Sequence, residues 1–111
     1  MNWGSIDIWV NNIGTNIPKC GEFYKNDEMS HIIDTCFKST VYGTNAAVPY
    51  LKRRGGSIIN VSSLAARIAT SEKSSIYAAM KSAIVNLSVN HAVEYAKYGI
   101  RVNSVMPGYT K

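Results

Sequence analysis

Tyr77 and Lys81 stand four residues apart in the run Ser74-Ser75-Ile76-Tyr77-Ala78-Ala79-Met80-Lys81-Ser82-Ala83. On a helix that spacing stacks the two side chains on one face. Ser74 or Ser75 can cap the start, so the pair falls within the first turns. A phenol ordinarily holds its proton to about pH 10. A neighbouring ammonium and the positive end of a helix both favour the phenolate. The pair therefore predicts a tyrosine able to exchange a proton near neutral pH, as a general acid or base must. Tyr and Lys at this spacing are also common on helix surfaces, so the surrounding elements decide the matter.

Ile6-Asp7-Ile8-Trp9-Val10 is a short β-prone run that stops at Asn11-Asn12-Ile13-Gly14, where turn formers take over. The stretch 15–26 is polar, broken by Pro18 and Gly21, and reads as loop. Asn26 or Asp27 can cap a helix opening on Glu28. Met29, Ile32, Ile33, Cys36 and Phe37 then recur at helical spacing, continuing through Val41, Ala47, Val48 and Leu51 to Gly55-Gly56. Gly43 and Pro49 are candidate bends. Ser57-Ile58-Ile59-Asn60-Val61-Ser62-Ser63 is a second strand, almost continuously apolar, as in a parallel strand covered on both faces. Residues 64–73 read as loop. The helix carrying Tyr77 runs to about Tyr98 and ends at Gly99, and Ile100 to Val105 is a third strand, closed by Pro107-Gly108.

The order β-α-β-α-β, with connections long enough for right-handed crossovers, predicts a parallel α/β sheet. Ligands bind such sheets outside the carboxyl ends of the strands. Asn11 to Gly14, Ser62-Ser63 and Pro107-Gly108 all follow such ends, and the start of the Tyr77 helix can reach the same edge.

Composition narrows the function classes. The 111 residues suffice for one small domain, and the net charge of +5 is moderately basic. Lys52-Arg53-Arg54 is the one tight basic cluster and suits a solvated helix end better than a nucleic-acid site. Cys20 and Cys36 have neither metal-ligand spacing nor a disulfide framework, which fits a reducing, cytoplasmic compartment and no metal. No cationic stretch leads into an apolar one near Met1, and no apolar run is long enough to span a bilayer, so no membrane partner is expected. His31 and His91 lie on predicted helices without triad or metal spacing and read as structural.

Over essentially its whole length the chain resembles the classical branch of the short-chain dehydrogenase/reductase family. Asn11-Asn12-Ile13-Gly14 is similar to the family's Asn-Asn-Ala-Gly after its fourth strand, and Ile59 to Ser63 to its fifth strand with the active-site serine. Tyr77-x-x-x-Lys81 is similar to its catalytic pair. Arg101-Val102-Asn103 with Pro107-Gly108 is similar to its sixth strand and the turn beneath the nicotinamide. The resemblance implies the second half of a Rossmann-like doubly wound parallel sheet. It implies a NAD- or NADP-dependent alcohol dehydrogenase or carbonyl reductase acting on a small molecule. Tyr77 would move the proton, Lys81 would bind the nicotinamide ribose and lower the Tyr77 pKa, and Ser63 would hold the substrate carbonyl. Ser63 is preferred to Ser62 for its distance from Tyr77. Asn11, Gly14, Tyr77, Lys81, Pro107 and Gly108 would border the coenzyme. The two long helices would pair subunits into a homo-oligomer.

The resemblance also has departures. No glycine-rich turn follows a strand before Asn11, so the chain is expected to lack the family's first βα unit and, beyond Lys111, its carboxyl end. Cys36 stands where the family has an asparagine behind the lysine, and a thiol holds a relay water weakly. Ile13 replaces an alanine beside the coenzyme path. The alternative is an inactive remnant serving as a dimerisation or scaffold module. An epimerase or dehydratase of the extended branch shares the Tyr-Lys pair but not the Asn-Asn-Ile-Gly and Pro-Gly contexts.

Overall fold

The computed structural model describes residues 6–12, 14, 16–63 and 73–107. Strands β1 (Ile8–Asn11), β2 (Gly56–Val61) and β3 (Ile100–Val105) form a parallel sheet in that spatial order. Trp9 lies opposite Ile58, which lies opposite Val102; Asn11 lies opposite Asn60, which lies opposite Ser104. Between the strands run α1 (Asn26–Ile33), a π-helical segment (Asp34–Lys38) and α2 (Ser39–Leu51), then α3 (Ser75–Tyr95). The β-α-β-α-β order is the one expected. The first strand extends to Asn11 rather than stopping at Val10, because Asn11 keeps a partner in Asn60.

Both crossovers step along the sheet in the same direction. Right-handed connections then put both helical layers on the same face. That face is the core: Ala47, Val48 and Leu51 pack on Ile58, Ile100 and Val102, with Trp9, Ala92 and Tyr95 against them. Burial in β2 alternates accordingly, with Ile58 and Asn60 fully buried and Ile59 and Val61 half-exposed. The expectation of a strand covered on both faces is therefore not met by the described residues. Ile8 (61% exposed), Val10 (52%) and Val105 (44%) remain bare on the far side.

The long helical run from Asn26 to Leu51 departs from its expected shape in one place. Neither Gly43 nor Pro49 marks the irregularity; the π-helical turn at Asp34–Lys38 does. Its sequence explains it. Thr35 Oγ1 donates to the His31 carbonyl (2.9 Å), Ser39 Oγ to the Thr35 carbonyl (2.6 Å) and Thr40 Oγ1 to the Cys36 carbonyl (3.3 Å). Hydroxyls that compete for backbone carbonyls loosen the ordinary helical ladder. Gly43 instead provides room: a Cβ there would collide with Asn11 Oδ1 and crowd Trp9 Nε1 at 3.3 Å. Lys25 holds the amino-terminal cap position of α1, where Asn26 or Asp27 was expected, and its N–H donates to Glu28 Oε1 at 3.0 Å. Gly99 ends the last helical turn in the left-handed conformation, φ +71°, as expected of a glycine in that place.

Candidate active site

The carboxyl ends of all three strands and the start of α3 meet at one rim. Ser74 occupies the amino-terminal cap of α3, as anticipated, but its hydroxyl does not cap the helix. It accepts from Asn16 Nδ2 at 3.3 Å, and the same amide donates to the Lys73 carbonyl at 3.4 Å. Asn16 thus ties the loop after β1 to the first turn of the helix carrying Tyr77. Nothing in the sequence distinguishes it from the other polar residues of that loop.

Lys81 is drawn inward from α3. It is only 4% exposed, and its Nζ donates to the Val61 carbonyl at the end of β2, 3.2 Å away. The next residue of β2's extension completes the joint. Ser62 Oγ donates to the Lys81 carbonyl at 2.7 Å, and the Ser62 N–H donates to the Val105 carbonyl at 2.8 Å. The buried Ser62 hydroxyl therefore fastens strand to helix. Ser63, half-buried, is the next residue along the rim.

Tyr77 lies one turn before Lys81, with the ammonium 5.6 Å from its ring centroid. Its ring packs on a second small core of Tyr24, Ile32 and Cys36, together with Ile17, Met29, Ile76 and Met80. The sequence leads one to expect the ammonium to pull the phenol's pKa down. Here burial pushes Tyr77 up from the ordinary tyrosine value, with the Cys36 thiol adding in the same direction. Burial likewise pulls Lys81 down, and Cys36 opposes that. The reason is geometric: the Lys81 head points at the Val61 carbonyl rather than at the phenol oxygen, and both groups have lost water.

Cys36, fully buried on the π-helical segment, sits behind this pair, where the sequence placed it. Gly14 closes on it from the other side: a Cβ at Gly14 would lie 3.1 Å from both Cys36 Sγ and Lys81 Nζ. Asn11 is at the same rim, but its side chain is engaged internally. It accepts from Trp9 Nε1 (2.8 Å) and donates to Thr44 Oγ1 (3.3 Å) and Asn60 Oδ1 (2.9 Å). Any contact of Asn11 with a ligand would run through its backbone. Pro107 follows the end of β3 and is exposed. Gly108, Ile13 and the predicted loop over 64–72 lie outside the described residues. So Gly14, Cys36, Tyr77, Lys81 and Ser62 come together by contact; Asn11 reaches the rim but faces inward.

This arrangement can hold and move a proton at Tyr77 Oη, beside a buried cation and at the strand ends where α/β sheets bind ligands.

Known proteins share this arrangement of elements. The model of the short chain dehydrogenase family matches residues 1–111. A tropinone reductase homolog of Arabidopsis thaliana is 39% identical over 109 residues, covering 97% of this chain and 41% of the relative. The trans-4-hydroxycyclohexanecarboxylate dehydrogenase of Sinomonas cyclohexanicum is 38% identical over 109 residues, covering 98% and 42%. Among solved structures, ElxO with NADP bound superposes with a TM-score of 0.88 at 29% identity, over 98% of this chain and 44% of its own. The chain thus spans about two fifths of the length of these curated relatives. With the family's model matched from end to end and relatives close to 40% identical, this chain belongs to the short-chain dehydrogenase/reductase family.

Proposed function

We propose that this chain is the catalytic part of a NAD(P)-dependent oxidoreductase that interconverts a carbonyl and a hydroxyl on a small molecule. The observation that carries the reading is the joint at the rim. Lys81 is held on the Val61 carbonyl one helical turn from Tyr77, and Ser62 locks that helix to the strand leading into Ser63. Two relatives named for reductase or dehydrogenase activity and a neighbour solved with NADP support it.

The residues present fit the coenzyme's nicotinamide half. Gly14 offers bare backbone at the rim, and Lys81 is a cation with three N–H donors, one of them on Val61. Lys81, Tyr77 and the backbone of Asn11, Gly14, Pro107 and Gly108 would hold it. When bound, the coenzyme supplies the hydride. Tyr77 Oη gives its proton to the carbonyl oxygen in reduction and takes it back in oxidation. Its raised pKa keeps it protonated at neutral pH, so in this state it is set up as the acid. Ser63 Oγ donates to the same oxygen as charge develops there. Lys81 places positive charge beneath the tyrosine.

Both helical layers carry exposed apolar side chains, Tyr42 on α2 and Val89 and Val93 on α3. Pairing of two copies through these helices would cover them. Neither cysteine is in a disulfide, which suits a reducing cytoplasmic compartment. Among the described residues no helix is long and apolar enough to cross a membrane.

The test is titration with NADH and NADPH, followed by carbonyl-dependent oxidation of the bound coenzyme, in the protein that contains this chain. Binding and turnover that Tyr77→Phe abolishes are the expected result. Turnover that survives Tyr77→Phe overturns the assignment, and a folded protein that binds neither coenzyme favours the scaffold module.

A further inference from the structure

Behind the Tyr77–Lys81 pair, four pieces of backbone converge on one ammonium. The loop after β1 brings Gly14, the π-helical segment brings Cys36, β2 brings the Val61 carbonyl and α3 brings Lys81 itself. A Cβ at Gly14 would stand 3.1 Å from Cys36 Sγ, 3.1 Å from Lys81 Nζ and 3.4 Å from Lys81 Cε. Nζ donates to the Val61 carbonyl at 3.2 Å. We propose that Gly14 and Cys36 form the seat that fixes the Lys81 ammonium on the Val61 carbonyl, which makes both of them positioning residues for the proton-transfer pair. The inference rests on reading Tyr77 and Lys81 as that pair.

A lysine head rides on four rotatable carbons and keeps one position only where walls confine it. Cys36 supplies a packed wall. It has no exposed surface and lies in a small core with Tyr24, Ile32 and Tyr77. A thiol is also a poor acceptor, so it confines the ammonium without drawing it off the Val61 carbonyl. Gly14 leaves room for both the thiol and the lysine head by having no side chain. An alanine methyl there would be tight against both the thiol and the lysine head, so one of them must give way. Between the two neighbours of such a methyl, the thiol cannot retreat and the lysine head can.

The test reads ionisation rather than turnover, in the protein that contains this chain, labelled with 13C at lysine Cε and tyrosine Cζ. Lys81→Met and Tyr77→Phe assign the two signals. In Gly14→Ala the displaced ammonium regains water, so Lys81 moves up toward the ordinary lysine value by at least about half a pH unit. Adding Cys36→Ala makes room for the methyl, and Gly14→Ala/Cys36→Ala returns Lys81 to the titration of Cys36→Ala alone, the reference that removes the direct effect of the thiol. A purely structural glycine would lose stability without that return. The proposal is overturned if Gly14→Ala folds with both signals titrating as in wild type. It is equally overturned if the shift, or a loss of folding, is not relieved in the double variant. Because no coenzyme or substrate is used, the seat can fail while the oxidoreductase reading stands, and the reverse.

Discussion

Asn11 and Asn60 face each other across the buried side of the sheet, and Asn11 Nδ2 donates to Asn60 Oδ1 at 2.9 Å. They are the middle of a continuous buried chain. Trp9 Nε1 donates to Asn11 Oδ1 at 2.8 Å, Asn60 Nδ2 to Ser88 Oγ at 2.9 Å, and Ser88 Oγ to the Ile84 carbonyl at 2.8 Å. Thr44 on α2 joins through Asn11 at 3.3 Å. The chain thus runs from β1 through β2 to α3 with a branch to α2, along the elements that present the rim. Removing one member leaves buried partners unsatisfied. Asn11→Ala or Asn60→Ala should each cost about 1–3 kcal/mol in urea unfolding. The double variant should cost clearly less than the sum; strict additivity would show that the two amides do not cooperate.

The two adjacent serines should separate stability from chemistry. Ser62 is buried and donates to the Lys81 carbonyl, so Ser62→Ala should lower stability by about 1 kcal/mol. Ser63→Ala should leave the unfolding midpoint nearly unchanged and lower kcat by about 10²–10³-fold. Equal effects of the two on kcat would refute the division of roles.

Lys81 is buried at the expense of its charge. Its pKa is depressed by burial, so its contribution to stability is fully present above the ordinary lysine value and is lost as pH falls through the folded value. Near neutral pH the folded chain therefore bears the cost of a desolvated ammonium. Lys81→Met should be neutral or stabilising by about 1 kcal/mol at pH 7 while abolishing turnover. A marked loss of stability would mean that the bond to Val61 outweighs the desolvation.

His91 should set the acid limit. It is buried, its ring lies 5.2 Å from that of Tyr95, and its Nδ1 has no hydrogen-bond partner among the described residues. Burial lowers its pKa, with Glu94 pulling the other way. A depressed histidine contributes stability above its ordinary value, and that stability is lost as pH falls through the folded value. The melting midpoint should fall between about pH 7 and about pH 5, and His91→Phe should flatten that limb. An unchanged slope in the variant would place the acid sensitivity elsewhere.

The bare side of the sheet should govern the behaviour of the isolated 111-residue chain. Ile8 and Val10 stand exposed on an edge strand, an invitation to association. The chain should bind a hydrophobic dye and sediment as a concentration-dependent mixture. Val10→Lys should reduce both with a change in stability of no more than about 0.5 kcal/mol. Dye binding unaffected by that substitution would locate the sticky surface on the helices instead.

Much of this was readable from local patterns. Ile32 and Leu51 at helical spacing, the β-prone run around Ile58, and Gly99 after the last helical turn report backbone preferences that hold wherever the chain goes. The Tyr77–Lys81 spacing likewise determined that the two would share a helical face. Other features depended on partners far away in the chain. The π-helical turn was encoded in Thr35, Ser39 and Thr40, but hydroxyls are as common in ordinary helices, so their effect could not be foreseen. Gly43 passed for a bend because nothing local announces that Asn11 fills the space beside it. The direction of the Tyr77 shift followed from burial of the phenol beside Tyr24, Ile32 and Cys36, residues that only the fold brings to it. Residue types and their periodicity determined the elements and the candidate chemistry. Only the packed fold decided which side of the sheet was covered and what the ammonium touches, because burial and close contact arise between segments that sequence order keeps apart.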